Sequence, residues 1–386
     1  MNHRTHPVKR AFVKVLGGRR TQSVAIPIFC IVLSLLAAAI VLLCLGKNPL
    51  QAYAGLLQGS GLFPKDSYAA HRSILTDFIS MVDNWTPMLF AALAVAIANK
   101  GGLFNIGVSG QMLAAGFTAT VLIGYSDLPA VVAKPLVFVI GIVAGALVGA
   151  LIGFLKQRFN INEVVSSIMI NYIIQYIVSF FIYTYYVDPI SRQSRAVGAN
   201  ARLTLQQVSI GDLNTVLPIG FVLAVVCVFV LRFLMNRTKF GFELKAVGAN
   251  KRAARYAGIP VGSRIVLSMT ISGALGGLAG VTYYLGYYAS IQPRTLADMG
   301  FDSIAVALLG NSNPVGIFFS SFLITAISKG STYMSSTVGV QQEIASLITG
   351  IILLFSACSA FIRYLVEKYR VQLEEADKAM AEGGKA

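Results

Sequence analysis

The chain's 386 residues are 56% hydrophobic and only 12% charged, with a mean hydropathy of +0.71. A soluble domain carries about 25% charged residues, so a soluble fold is excluded. The net charge of +15 would suggest nucleic acid in a soluble chain, but here its placement follows topology: six Lys/Arg and no acid in residues 1–23, and eight basic residues against the single Glu243 from Arg232 to Arg264. The segments 46–84 and 186–215 carry three basic residues each, against three and two acids. Basic residues concentrated in alternate loops are the positive-inside pattern of a polytopic membrane protein, which accounts for the charge with no nucleic-acid partner.

In chain order, the basic stretch Met1 to Arg20 leads into an apolar run from Val24 to Leu45. A signal-peptide core is only about 7–15 residues long, so this longer run is expected to remain as a signal-anchor helix. Residues 46–84 are expected to form a long outer loop that carries His71 as a surface residue. At about 20 apolar residues per crossing, full spans are expected near 24–45, 103–124, 134–155, 164–186, 216–235, 264–288 and 341–362, with a shorter one at 314–328. Two more segments, 85–98 and 300–310, are too short to cross fully. The first runs into Gly101-Gly102-Leu103-Phe104-Asn105-Ile106-Gly107 and the second into Asn311-Ser312-Asn313-Pro314. Such helix-breaking backbone survives at membrane depth only when buried in protein or lining a water-filled cavity. A matched pair of interrupted segments is the mark of a repeat-built transporter.

The expected fold is all-α: a polytopic membrane protein with about 10 transmembrane segments, two of them short or interrupted, and both termini cytoplasmic. Eight full spans plus two re-entrant pieces satisfy the same parity. The layout is a basic cytoplasmic N-terminus (1–23), a transmembrane domain (24–362) with an outer loop at 46–84 and a cytoplasmic loop at 236–263, and a frayed cytoplasmic tail (363–386). Cys30, Cys44, Cys227 and Cys358 all fall in apolar segments without metal-type spacing, and are read as buried structural thiols.

The cytoplasmic loop holds the most informative stretch, Lys239 to Ile259, reading KFGFELKAVGANKRAARYAGI. Asn250 is a good N-cap, the run 251–257 has no β-branched residue, and Gly258 followed by Pro260 stops a helix. The expectation is one short capped helix with no core to serve. Lys251 and Arg252 sit in its first turn, where the helix dipole disfavours cations by about 0.3–1 kcal/mol each. Charges kept there against local preference point to topology or to an acidic partner.

No Walker A sequence is present. With His3, His6 and His71 as the only histidines, no zinc-hydrolase motif or His-based triad can be assembled. The chain has no visible enzyme, metal or cofactor site, so ATP-driven transport would need an ATPase on another chain.

Four stretches resemble the permease subunits of ABC importers in the branched-chain amino acid and simple-sugar superfamily, most closely the nucleoside-type permeases. They are ANKGGLFNIGVSGQMLAAGF (98–117), NEVVSSIMINYI (162–173), GFELKAVGANKRAARYAGI (241–259) and FDSIAVALLGNSNPVG (301–316), in the family's order. Position 109 is Ser where many relatives carry Glu, so no carboxylate role is assigned there. The resemblance implies an ATP-driven importer of nucleosides or a related small polar solute in the bacterial cytoplasmic membrane. Its implied partners are ABC ATP-binding subunits, a second permease chain in a heterodimer, and an extracytoplasmic substrate-binding lipoprotein. It also implies that Gly241, Glu243, Leu244, Ala246, Gly248, Asn250, Ala253, Ala254 and Gly258 couple the chain to its ATPase, and that Asn105, Gln111, Asn171, Asp302 and Asn311 line the solute pathway.

Each of these has a plainer reading beside it. Asn105, Gln111 and Asn171 can be interhelical hydrogen-bond partners, worth about 0.6 kcal/mol each in a membrane. Glycines 101, 102, 107 and 110 serve close helix packing. Asp302 is either a functional intramembrane acid or an N-cap. Tyr283, Tyr284, Tyr287 and Tyr288 read as interfacial anchors, with base stacking near an outer gate as the other use. The alternative function is a secondary transporter or facilitator acting without an ATPase, which shares broken helices and repeat symmetry but has no use for a basic capped helix facing the cytoplasm.

Overall fold

A computed structural model describes residues 22–68, 72–210, 213–339 and 358–383, together with positions 10, 13, 347, 350, 351, 354 and 355. The expected span at 341–362 and His71 therefore lie largely or wholly outside the described residues. Contacts divide the chain into two units, 1–49 with 346–386, and 50–345. In the first unit, α1 (Gln22–Cys44) and α13 (Ser359–Gly383) are the long helices, and Ile26 and Cys30 pack against Ile362 and Val366. The tail expected to fray is thus helical as far as Gly383. Cys44 is exposed, contrary to the reading of all four cysteines as buried.

The second unit holds α2 (Pro49–Gly59), α3 (Ile74–Lys100), α4 (Val108–Ala119), α5 (Ala130–Phe159), α6 (Glu163–Phe181), strands β1 (Thr204–Ile210) and β2 (Leu213–Pro218), α7 (Ile219–Arg237), α8 (Lys239–Ala249), α9 (Lys251–Tyr256), α10 (Val261–Val281), α11 (Asp298–Leu309) and α12 (Pro314–Val338). π-Helical turns prolong α4 to Gly124, α6 to Tyr186 and α10 to Tyr288. Six helices are long and apolar enough to cross a membrane (74–100, 130–159, 163–186, 219–237, 261–288 and 314–338), with Ile28–Cys44 contributing to a seventh candidate. Two apolar helices are shorter: Val108–Gly124 and the 12-residue α11.

Three expectations are corrected. Segment 85–98 belongs to a full-length helix of 27 residues, begun by a Ser73 capping box. Asp83 and Asn84 made its first half look like loop, yet both are buried. The short member of the first pair is instead α4, expected as a full span from 103; Gly101 to Gly107 is non-helical. The span expected at 314–328 runs on to Val338, because its polar residues satisfy themselves along the helix. Ser331, Ser336 and Thr337 donate to the carbonyls of Ser328, Tyr333 and Tyr333 at 2.7, 2.8 and 3.0 Å, the back-bonding that lets Ser and Thr sit in apolar helices. The loop before α7 is not irregular throughout: β1 and β2 pair antiparallel as a hairpin, so the fold is mostly helical rather than wholly so.

The core runs between α5 and α10. Glycines 141, 145, 149 and 153 recur every four residues on α5 and meet the backbone of Val266, Met269, Gly273 and Gly277 and the side chain of Val281 on α10; a side-chain carbon on Gly145 or Gly149 would collide with the carbonyls of Gly273 or Met269. Small residues at this spacing let membrane helices approach closely enough for dispersion to hold them. Trp85 anchors α3 to α7 and α12, with rings of Phe221, Phe318 and Phe322 at 5.0, 4.8 and 5.0 Å and its indole N–H donating to Ser321 Oγ at 2.8 Å.

Candidate functional site

At one end of the bundle, Lys156 pairs with Glu163 at 2.8 Å and the island 239–258 folds as two short helices rather than one. Thr238 caps α8, its Oγ1 accepting from Gly241 N at 3.2 Å. Asn250 ends α8 and caps α9: its own N–H donates to Ala246 O at 3.0 Å, and its Oδ1 accepts from the amides of Arg252 and Ala253 at 3.0 and 3.1 Å. Gly258 follows with φ +76°, as a helix stop requires.

The island does serve a core. Val247 and Ala254 are buried in one apolar cluster with Ala98, Leu103, Ile152, Ile170, Val261, Ile265 and Met269. Glu243 is buried too, its carboxylate 2.5 Å from Arg264 Nε and 3.8 Å from Lys239 Nζ. A buried carboxylate needs such a partner, and this one ties α8 to the start of α10. Of the expected coupling residues, Gly241, Glu243, Leu244 and Ala254 face inward, Ala246 and Gly248 are half-buried, and Asn250, Ala253 and Gly258 are exposed. Phe242 and Tyr256, 68% and 94% exposed, were not singled out from the sequence. Aromatic rings that uncovered, among basic residues, are the signal that was available.

Inward, the island meets the break between α3 and α4. Gly248 lies against the carbonyl of Lys100 and the amide of Gly102, and Gly101 lies against Leu244 and Ser268. The non-helical run 103–107 is held by three amides. Asn105 accepts from Gly107 N at 2.8 Å and donates to Ser272 Oγ and Gln111 Oε1 at 2.8 and 3.2 Å. Asn171 on α6 accepts from Gly110 N and donates to Ile106 O, both at 3.0 Å, capping the first turn of α4 from a different helix. Ser272 passes its own proton to Ala94 O at 2.6 Å. Asn105, Gln111 and Asn171 are thus brought together and fully buried, their hydrogen-bonding groups engaged by the protein itself. Ser109 donates to Ala297 O at 2.9 Å, linking the start of α4 to the start of α11.

Asp302 and Asn311 lie elsewhere. Asp302 is half-buried on α11, four residues after that helix begins at Asp298, so it is not an N-cap. Asn311 occupies the left-handed turn after α11 (φ 54°), where Lys100 Nζ approaches its carbonyl at 3.5 Å. At the opposite end, near the hairpin, the buried Asp83 faces the charges of Arg202 and Lys329. Arg202 donates to Gly286 O at 3.1 Å and Lys329 to Tyr287 Oη at 3.3 Å. Asp83 was hidden from sequence reasoning by its assignment to a loop.

A family model described as "Branched-chain amino acid transport system / permease component" matches residues 80–357. The chain is 33% identical over 371 residues to the nucleoside ABC transporter permease protein NupB of Lactococcus lactis subsp. cremoris, covering 94% of this chain and 99% of that one. It is 35% identical over 358 residues to the guanosine ABC transporter permease protein NupP of Bacillus subtilis, covering 91% and 98%. Among solved structures, an inward-facing putative metal-chelate type ABC transporter aligns with 83% of this chain and 97% of that chain, at 13% identity and a TM-score of 0.46.

Proposed function

The chain belongs to the branched-chain amino acid transport permease family, and on that premise we propose that it is the membrane-spanning subunit of an ATP-driven importer of nucleosides. The end bearing the island is taken as cytoplasmic, because its charge follows the positive-inside pattern. A separate ATPase docks there against exposed Phe242 and Tyr256 and their basic neighbours Lys251, Arg252 and Arg255. A second permease chain and an extracytoplasmic substrate-binding lipoprotein complete the assembly in the bacterial cytoplasmic membrane.

One observation carries the coupling: Gly248 of α8 packs directly on the backbone of Lys100 and Gly102, the point where α3 gives way to the broken segment. A displacement of the island by the ATPase is delivered to that junction through backbone contacts, with no flexible side chain between. The three amides around 103–111 then act as the fastening of a rigid joint, not as solute ligands. The solute class is supported by the nucleoside and guanosine permeases among the relatives.

The test is uptake of radiolabelled nucleosides in cells expressing the chain with and without a candidate ATPase. Uptake that needs the ATPase and fails when its Walker lysine is replaced is the expected result. Uptake by this chain alone, driven by a proton or sodium gradient, overturns the reading in favour of a secondary transporter.

A further inference from the structure

We propose that the cleft between the end of α10, the non-helical segment 289–297 and the first residue of α11 is a nucleoside-binding subsite within the membrane. The proposal deepens the importer reading above and rests on it. The cleft has a volume of about 240 Å³, just below the range of about 300–1,000 Å³ usual for drug-sized ligands, which suits a small solute.

Its depth follows from helix length. The turn after α11 lies beside Lys100 at the island end of the bundle. Twelve helical residues rise only about 18 Å of a hydrocarbon core about 30 Å thick. Asp298 therefore begins α11 well inside the membrane, and 289–297 covers the remaining depth as irregular backbone. Gln292 and Thr295 along it, and Asp298 at the start of α11, are exposed. Polar and ionised groups at that depth cannot face lipid; they face protein or a water-filled cavity.

The irregular segment is held rigidly. Ala289 O accepts from Val197 N at 2.9 Å, and Ile291 O from Ser194 N at 2.9 Å. Ile291 N donates to Ser194 Oγ and Arg294 N to Ser179 Oγ, both at 2.8 Å, and Gln175 donates to Arg294 O at 2.6 Å. A backbone fastened from both α6 and the loop 194–197 is a preorganised wall.

The lining chemistry selects the ligand. Tyr283 and Tyr288, ring centroids 4.8 Å apart and tilted by 57°, offer an aromatic surface for a planar base. The amides of Gln193, ordered by a 2.6 Å hydrogen bond from Ser290, and of Gln292 supply both donors and acceptors for a base edge. The Asp298 carboxylate accepts from sugar hydroxyls and repels a phosphate. A neutral nucleoside fits this set, and a nucleotide does not.

The experiment uses the complete importer in proteoliposomes with all four native cysteines replaced by Ser and Gln292→Cys introduced. A water-soluble maleimide is expected to label position 292, and uridine or guanosine, but not the corresponding monophosphates, to slow the labelling. Independently, Asp298→Asn, with the cysteines left native, is expected to raise the half-saturating nucleoside concentration for uptake by about tenfold, the effect of losing a charge-assisted hydrogen bond. The unmodified importer is assayed in parallel. If it transports nucleosides while position 292 resists the maleimide, or labels at a rate no nucleoside alters, the subsite is wrong and the importer reading stands. Unchanged concentration dependence in Asp298→Asn likewise overturns the subsite. If the unmodified importer moves no nucleoside, the reading and the subsite fall together.

Discussion

Gly102 and Gly248 stand back to back: a side-chain carbon built on Gly102 would lie 2.9 Å from the Gly248 α-carbon. Gly102 is also in the left-handed backbone region, with φ +68°, which only glycine enters at no steric cost. The break in the first half of the bundle and the basic island are therefore one joint, although 146 positions separate them in the sequence.

Gly248→Ala is expected to open that joint, because the added methyl would overlap the Lys100 carbonyl and stand 3.0 Å from Gly102 N. Uptake should fall by about tenfold or more while the protein still reaches the membrane, the scale of losing about 1.4 kcal/mol of coupling. Parallel measurement of uptake and ATPase rate in proteoliposomes checks it. Unchanged uptake would remove the joint from the mechanism.

Phe242→Ala and Tyr256→Ala alter residues that are 68% and 94% exposed. Surface changes of this kind shift stability by less than about 0.5 kcal/mol, so the thermal midpoint should hold while the ATPase no longer co-purifies. Retention of the ATPase in the double variant would move the docking surface elsewhere.

Asn171→Leu leaves the Gly110 amide and the Ile106 carbonyl without their partner. Each orphaned buried group costs about 1–3 kcal/mol. The expected outcome is a lower thermal midpoint in detergent, with unaltered nucleoside affinity in whatever fraction folds; Asn105→Leu should behave alike. A shift in affinity at normal stability would return these residues to the solute pathway.

Ser109→Glu would install the carboxylate that the family resemblance implies at this position. Here Ser109 is fully buried and Gly300 packs against its Oγ, so the variant should fail to assemble, as a buried unpaired charge does. Ser109→Ala, which loses only the bond to Ala297 O, should cost about 1 kcal/mol. Size-exclusion profiles of the two variants compare them directly.

The parts of this architecture visible in the sequence are those governed by local chemistry. Asn250 as a cap and Gly258 as a stop needed only neighbours within a few residues, and both are found in those roles. The error at 74–84 came from reading Asp77, Asp83 and Asn84 as loop residues; the charges that the buried Asp83 faces, Arg202 and Lys329, lie far along the chain. The core beneath Ala254 was invisible for the same reason, since its eight companions there come from five other helices and the broken segment. Periodicity gave no warning of the glycine seam between α5 and α10 either, because glycine contributes nothing to a hydropathy pattern.

The unbroken run from Val261 to Tyr288 has a mechanical consequence. Its 21 α-helical residues rise about 32 Å at 1.5 Å per residue, the π-helical turns 282–288 continue it, and the glycine seam braces it from Val266 to Val281. Its lower end is gripped by Glu243 through Arg264, and its upper end carries Tyr283 and Tyr288. On the proposed function such a helix would be a pushrod: motion imposed at the island would reach the tyrosines along one continuous helical run, so the ATPase's stroke and the proposed cleft would share a single member.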